Sequence, residues 1–170
     1  MGEGDSEATP KEDIEAVDEI LKKVMNNNGG ADSFVGAIGF SQGARLVPGL
    51  LLRQMIEERD LGKSEWKFKF GVMIGGPFPP IAMTESVDVK DYELLRQIPT
   101  VHGWGRDDPV IQGAKQMAEM AENENCFVMD FAGSHHLPLK DDEARDLCDQ
   151  IMAAWYASGG SYQVGGAESY

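Results

Sequence analysis

The chain has 170 residues, enough to bury the core of one domain, and its 42% hydrophobic and 26% charged residues are typical of a globular protein. Its formal net charge is −14, which argues against a nucleic acid, an anionic membrane or a strongly anionic substrate, because each of these needs clustered cations. Cys126 and Cys148 show neither a CxxC spacing nor histidines at ligand spacing, so we predict no metal site and no cofactor.

The same features indicate the compartment. Because two cysteines are too few for a disulfide framework, we expect both to be free thiols in a reducing environment. The acidic N-terminus has neither the basic nor the apolar region of a secretory signal, and no run approaches the ~18 apolar residues of a membrane span. We therefore expect a cytoplasmic protein that makes no membrane contact.

The first predicted element is a helix. We expect residues 1–8 to form a disordered lead, followed by Thr9 as the cap, Pro10 in the first helical position and Glu12 completing a capping box. The apolar residues then recur every three or four positions, and the sequence NNNGG ends the helix at residues 26–30.

Strands and helices then alternate. We predict strands at 34–40, 65–76, 98–105 and 126–133, helices at 42–58, 109–125 and 139–157, and a short helix near 92–97. The apolar run 34–40 is expected to be a buried strand. Alternation of this kind predicts parallel pairing, so we expect the fold class to be α/β. We expect one domain over residues 9–157, followed by a flexible Gly/Ser-rich tail over 158–170.

The first chemical motif is Gly39-Phe40-Ser41-Gln42-Gly43, which fits the G-x-S-x-G pattern at a predicted strand-to-helix turn. Side chains at either glycine are expected to crowd so sharp a turn. The helix N-terminus that follows would offer N–H groups to a developing oxyanion. We interpret Ser41 as a nucleophile; a structural turn serine is the alternative.

Two further strand ends carry suggestive residues, and ligands of open parallel sheets lie at such ends. Asp107 and Asp108 follow the third strand, where either could orient a histidine, although a solvated turn or a helix cap formed by Asp108 is an alternative. His135 and His136 follow the fourth strand. His102 falls inside the third strand, which favours a structural role.

The chain order Ser, Asp, His is the order of the α/β-hydrolase triad, and the combined pattern is more specific than any one motif. It predicts a serine hydrolase in which the histidine takes the proton of Ser41 and the aspartate orients the imidazole. A nucleotide-binding protein is the weaker alternative, because the chain has neither of the two Gly-rich phosphate-binding patterns.

These residues resemble the serine hydrolase (FSH) family of α/β-hydrolases, abundant in fungi, over roughly residues 10–156. GFSQGARL resembles its elbow, IPTVHGWGRDDPVI its acid segment and FAGSHHLPL its histidine segment. The elbow alone also resembles acyl-protein thioesterases and carboxylesterases, but the long insert containing GGPFPP fits the FSH pattern better. The resemblance implies a triad of Ser41, Asp108 and His135, preferring Asp108 over Asp107 and His135 over His136.

The resemblance implies hydrolysis of carboxylic esters or thioesters of acyl chains. Some members of the family release polyketide or fatty acyl chains from an acyl-carrier domain, so a thioesterase of fungal secondary metabolism is one expectation. The backbone N–H of Gln42 is expected to serve the oxyanion hole. Phe78 and Met83 of the apolar loop, with His136, are candidates for an acyl pocket; ordinary packing of the crossover is the alternative.

The chain also departs from this family. Its members usually begin with a strand ending in a His-Gly loop that supplies an oxyanion N–H, and two or three further strands and helices precede the elbow. Here only about 33 residues precede the first predicted strand. We therefore expect a sheet without those N-terminal strands and an exposed edge, which the rest of a longer protein or a homodimer would cover. A catalytically impaired, non-catalytic interaction module is the alternative function.

Overall fold

The computed structural model describes residues 10–84 and 87–161. The predicted lead at 1–8 and residues 162–170 of the predicted tail lie outside the described residues. The described ranges contain four α-helices: α1 Lys11–Asn27, α2 Gln42–Leu61, α3 Ile111–Met120 and α4 Asp141–Ala157. They contain four strands: β1 Gly36–Phe40, β2 Phe70–Ile74, β3 Thr100–Gly105 and β4 Cys126–Phe131. Short 3₁₀ helices occupy Ala31–Ser33 and Val89–Gln97. No helix in these ranges has the length and apolar character needed to cross a bilayer.

The strands form one parallel sheet in the order β1-β2-β3-β4. Every residue of β2 and β3 is buried, as expected of parallel strands covered on both faces. The predicted α/β class, a parallel sheet flanked by helices, is therefore confirmed.

Alternate residues of β2 divide the core into two layers. Met73 belongs to a layer that also includes Leu51 of α2, Ile14 of α1 and Leu95 of the second 3₁₀ helix. Phe70, Val72 and Ile74 point to the other face, where Ala154 of α4 packs against them. The sheet is thus held between α2 on one side and α4 on the other.

The burial expected for the first strand is wrong. β1 is an edge strand that pairs only with β2 among the described residues, and the side chain of Ile38 is 64% exposed. The reason is the position of α4, which packs over β4, β3 and β2. Apolar composition alone could not reveal this, because burial of a strand depends on its neighbours.

The second strand is shorter than predicted for a different reason. Its predicted first half is not in a strand, although the side chains of Trp66 and Phe68 are buried and alternate with exposed residues. The side chain of Gln54 in α2 donates to the carbonyl of Phe68 (3.1 Å) and accepts from its N–H (2.9 Å). A helix side chain therefore satisfies the backbone groups that a strand neighbour would otherwise have bound.

The helix ends also differ from the prediction. Pro10 precedes α1 in the N-cap position instead of being its first helical residue, and the predicted cap Thr9 lies outside the described residues. The helix predicted over 109–125 extends only over Ile111–Met120.

Candidate active site

The elbow places Ser41 between β1 and α2 in an unusual backbone conformation. Its φ is 55° and its ψ is −116°, and it is the one non-glycine residue with positive φ in the described part of the chain. Such a conformation costs about 1–3 kcal/mol and persists only when the surroundings enforce it. Here the Ser41 N–H donates to the carbonyl of Ile74 in β2 (2.9 Å), which fixes the serine at the end of the sheet.

The two glycines of the motif are not equivalent. A Cβ on Gly39 would lie 2.1 Å from the carbonyl oxygen of Gly43, so the strand and the helix approach each other too closely for any side chain there. A Cβ on Gly43 would meet no atom within 4 Å. The expectation that a side chain would crowd both positions is therefore correct for Gly39 and wrong for Gly43.

Three polar side chains form a continuous chain of contacts at this end of the sheet. His135 Nε2 lies 2.7 Å from Ser41 Oγ, and His135 Nδ1 lies 2.9 Å from Asp108 Oδ2. Asp108 is 3% exposed, and its other carboxylate oxygen accepts the N–H of Val110 (2.8 Å) before α3. The carboxylate thus both accepts a backbone hydrogen bond before α3 and contacts the imidazole. On the sequence alone, these two roles, helix cap and partner of a histidine, are alternatives.

The contact between Ser41 and His135 spans the whole width of the sheet. Ser41 follows β1 and His135 follows β4, and three strand spacings of about 4.8 Å separate the two strands by roughly 14 Å. The segment after β4 therefore crosses the ends of β3 and β2. A glycine lies at each crossing.

Those glycines keep the path open. A Cβ on Gly105, at the end of β3, would lie 2.2 Å from the carbonyl oxygen of Ser134. A Cβ on Gly75, after β2, would lie 3.2 Å from Asp108 Oδ2 and 3.3 Å from the His135 ring, and Gly75 also has a φ of +59°. Both positions therefore favour glycine. Sequence reasoning missed both roles; glycines at the ends of two predicted strands were the available signal.

Hydrogen bonds join the acid turn to the histidine segment. The N–H of Asp107 donates to the carbonyl of Gly133 (2.9 Å), and Ser134 Oγ donates to the carbonyl of Asp107 (3.2 Å). Only the backbone of Asp107 takes part, and its side chain is exposed. Of the two candidate aspartates, Asp108 is the one in contact with the imidazole.

The two adjacent histidines also have different surroundings. The ring of His135 lies 5.0 Å from the ring of Phe40, the residue before Ser41. His136 Nδ1 lies 2.6 Å from the carbonyl oxygen of Leu137, and its ring lies 5.7 Å from that of Phe131. The structure therefore brings His135, and not His136, to the serine.

The third histidine is remote from these contacts. His102 is buried within β3, and its Nε2 has no hydrogen-bond partner. Burial lowers the pKa of His102 to about 4, because the cationic form is poorly solvated there. This side chain is therefore neutral at pH 7.

Gln42 and the loop after β2 complete the surroundings of Ser41. Gln42 is the first residue of α2, and its N–H has no acceptor in the helix.

The two predicted pocket residues of the loop after β2 lie in different places. Met83 packs in the core layer of α1 and α2, whereas the half-exposed Phe78 has its backbone against Gly113 of α3.

Within residues 10–84 and 87–161, no cluster of three or more His, Cys, Asp or Glu side chains has the arrangement of a metal site. The chemistry that the contacts above offer is that of a hydroxyl, an imidazole and a carboxylate in series. Such a series can move the hydroxyl proton to the imidazole and stabilise the resulting cation.

Comparison with known proteins gives matches over most of the chain. The family model described as Serine hydrolase (FSH1) matches residues 2–147. Esterase citA from Monascus ruber is 29% identical over 168 residues, covering 85% of this chain and 64% of the relative. Esterase mpl1 from Monascus purpureus is also 29% identical, covering 85% of this chain and 53% of the relative. The chain thus spans between about half and two thirds of the length of these relatives.

A solved structure gives an independent comparison of the fold. Acyl-protein thioesterase 2 from Zea mays superimposes with a TM-score of 0.60 at 17% identity, covering 88% of this chain and 68% of the thioesterase. At this identity the likeness concerns the fold alone.

Proposed function

Because the chain belongs to the serine hydrolase (FSH1) family, we propose that it hydrolyses carboxylic esters or thioesters of acyl chains with Ser41, His135 and Asp108 as its catalytic triad. The observation that carries the proposal is the unbroken contact series, 2.7 Å from Ser41 Oγ to His135 Nε2 and 2.9 Å from His135 Nδ1 to Asp108 Oδ2. The esterase names of the relatives agree with this chemistry.

In the first half-reaction, His135 takes the hydroxyl proton at Nε2 while Ser41 Oγ attacks the carbonyl carbon. This requires the tautomer in which Nδ1–H donates to Asp108, and the buried carboxylate stabilises that tautomer and the imidazolium. The Gln42 N–H, at the positive end of α2, donates to the oxyanion. His135 then returns its proton to the alcohol or thiol that leaves.

In the second half-reaction, a water molecule replaces the leaving group. His135 takes a proton from the water as it attacks the acyl-serine carbonyl, and returns that proton to Ser41 Oγ as the carboxylic acid departs. The nucleophile is thereby restored. No other co-reactant is needed.

Labelling by a fluorophosphonate, which reacts with activated serines, tests the proposal. We expect the wild-type chain to be labelled, and the Ser41→Ala and His135→Ala chains to remain unlabelled. Ser33→Ala is the matched control, because Ser33 is an exposed serine in the first 3₁₀ helix, away from the elbow. A cooperatively folding wild-type chain that is not labelled would contradict the proposal and favour a non-catalytic interaction module.

A thioester held by an acyl-carrier domain, in the synthesis of a polyketide or another fungal secondary metabolite, is the more specific substrate that we propose. The support is the resemblance of the elbow, acid and histidine segments to a family with such members. Acyl thioesters of N-acetylcysteamine mimic the end of a carrier arm. Turnover of matched oxygen esters without turnover of these thioesters would restrict the activity to esters.

We further propose that two copies of the chain associate through the edge of β1, in a cytoplasmic setting. The support for association is the exposed apolar side chain of Ile38 on an edge strand. The support for a reducing compartment is that Cys126 and Cys148 are both free thiols.

A further inference from the structure

A cavity of about 630 Å³ opens beside the elbow, between the first turns of α1 and α2 and the loop after β2. We name it the elbow cavity. Its lining includes Val17, Gln42, Gly43, Leu46, Ile81 and Met83. Its volume is within the range of about 300–1,000 Å³ that is usual for small-molecule sites.

The elbow cavity starts at the residues that follow the nucleophile directly. Gln42 and Gly43 are the first two residues of α2, and both line it. A Cβ on Gly43 would meet no atom within 4 Å, so a side chain at this position would extend into free space two residues from Ser41. A substrate group bound here would extend from the reacting carbonyl.

The wall formed by the loop is fixed to α2. Arg45 Nε donates to the carbonyl of Pro79 (2.7 Å), and the carbonyl of Arg45 accepts the N–H of Ile81 (2.9 Å). A Cβ on Gly49 would lie 1.9 Å from the carbonyl oxygen of Ile81, so the loop rests directly on the helix backbone. The hydrogen bonds to α2 therefore fix this wall of the cavity, which lowers the entropic cost of binding.

Asp13 and Arg45 also line the cavity, and Arg45 is bound to the loop by the hydrogen bond to Pro79, but most of the remaining lining favours an apolar group. Val17, Leu46, Ile81 and Met83 supply aliphatic or thioether surface from three different segments. A second cavity along α1 is instead lined by Glu15, Asp18, Glu19, Lys22, Lys23, Asn26 and Asn27. The elbow cavity is thus the more apolar of these two.

We propose that the elbow cavity binds the acyl chain of the substrate and that Gly43 sets the size of the group admitted. The ligand class is an uncharged aliphatic acyl chain of medium length. This inference rests on the proposed function, in which Ser41 carries the acyl group. It moves the acyl site from the vicinity of Phe78 and His136 to the cleft between α1 and α2.

Binding to the Ser41→Ala chain, measured by calorimetry with methyl octanoate and methyl acetate, tests the inference without turnover. We expect the octanoate to bind more tightly, by about fourfold for each methylene that is buried. Gly43→Val should weaken octanoate binding at least tenfold, since its side chain occupies the cavity. Ala16→Val, which adds a branched side chain at an exposed position of α1, should leave binding unchanged.

Val17→Phe fills the same cavity from the opposite wall and serves as a second variant if Gly43→Val does not fold. Octanoate that binds no better than acetate, or binds equally well to both filled variants, would overturn the inference. Fluorophosphonate labelling of the wild-type chain reports separately on the proposed function. Labelling without selective octanoate binding refutes the cavity alone, whereas selective binding without labelling supports the cavity and refutes the catalytic role of Ser41.

Discussion

Asp108 and His135 are joined by a contact of 2.9 Å between Oδ2 and Nδ1, although 27 positions separate them in the chain. The carboxylate is buried, and its second oxygen is held by the N–H of Val110 at the entrance to α3. Asp108 therefore cannot rotate without breaking a backbone hydrogen bond. Its orientation, and with it that of the imidazole, is set by the fold.

This relationship predicts the effect of Asp108→Asn. In the proposed mechanism, the amide preserves the shape but removes the charge that would stabilise the imidazolium, and it favours the wrong tautomer of His135. We expect kcat for a p-nitrophenyl acyl ester to fall by about 10⁴. Asp107→Asn is the matched control, because only the backbone of Asp107 contacts the histidine segment. A loss of less than tenfold in Asp108→Asn would show that the carboxylate has no part in the reaction.

The two glycines of the elbow predict opposite changes in stability. Gly39→Ala places a methyl group against the backbone of α2 and should lower the free energy of unfolding by about 3 kcal/mol or more. Gly43→Ala adds a methyl group in open space on a helix and should raise it by up to about 1 kcal/mol. Denaturant unfolding of both variants measures these values. Equal destabilisation by the two substitutions would mean that the contact between Gly39 and α2 is not as described.

How much of this site could be predicted from the sequence depends on how local each signal is. Ser41, Asp108 and His135 could be proposed as candidates because each follows an apolar run that ends in turn residues. The choice between the adjacent aspartates was not local, since Asp108 is distinguished from Asp107 by its contact with a histidine 27 positions away. That choice came from the resemblance to a family.

The missed features are those that depend on distant segments. Gly75 is constrained by Asp108 and His135, which lie 33 and 60 positions further along. The late start of β2 depends on Gln54 of the preceding helix, and the exposure of Ile38 depends on where α4 packs. None of these relations leaves a periodic or compositional trace at the residue that it affects.

The buried His102 predicts a loss of stability in acid. Its pKa is about 4 in the folded chain and about 6.5 in an unfolded one, so the unfolded chain binds more protons between these values. The contribution of this group is complete above pH 6.5. As the pH falls from 6.5 toward 4, the equilibrium constant for folding should decrease roughly tenfold for each pH unit.

Unfolding measured from pH 7 to pH 4.5 tests this effect. We expect His102→Phe to have a shallower decline than the wild type, because the titrating group has been removed. His136→Gln, which replaces a partly exposed histidine, should keep the wild-type decline. An unchanged decline in His102→Phe would assign the acid sensitivity to other groups.

The exposed edge of β1 predicts self-association. Ile38→Lys places a charge on the edge strand and should shift a concentration-dependent dimer toward monomer in sedimentation equilibrium. Val89→Lys is the control, because Val89 is 83% exposed on the 3₁₀ helix away from that edge. A wild-type chain that remains monomeric at every concentration would refute the dimer.

The length of the segment from Phe131 to His135, which passes over Gly105 and Gly75, determines where the imidazole lies. This length is matched to the width of the sheet, so an insertion or deletion of one residue would displace the imidazole by up to about 3.5 Å and break its contact with Ser41. Transplanting this site to another parallel sheet would therefore require copying a distance as well as three side chains. The strands beneath the path would also need to end without side chains, which makes the bare glycines part of what an enzyme designer must reproduce.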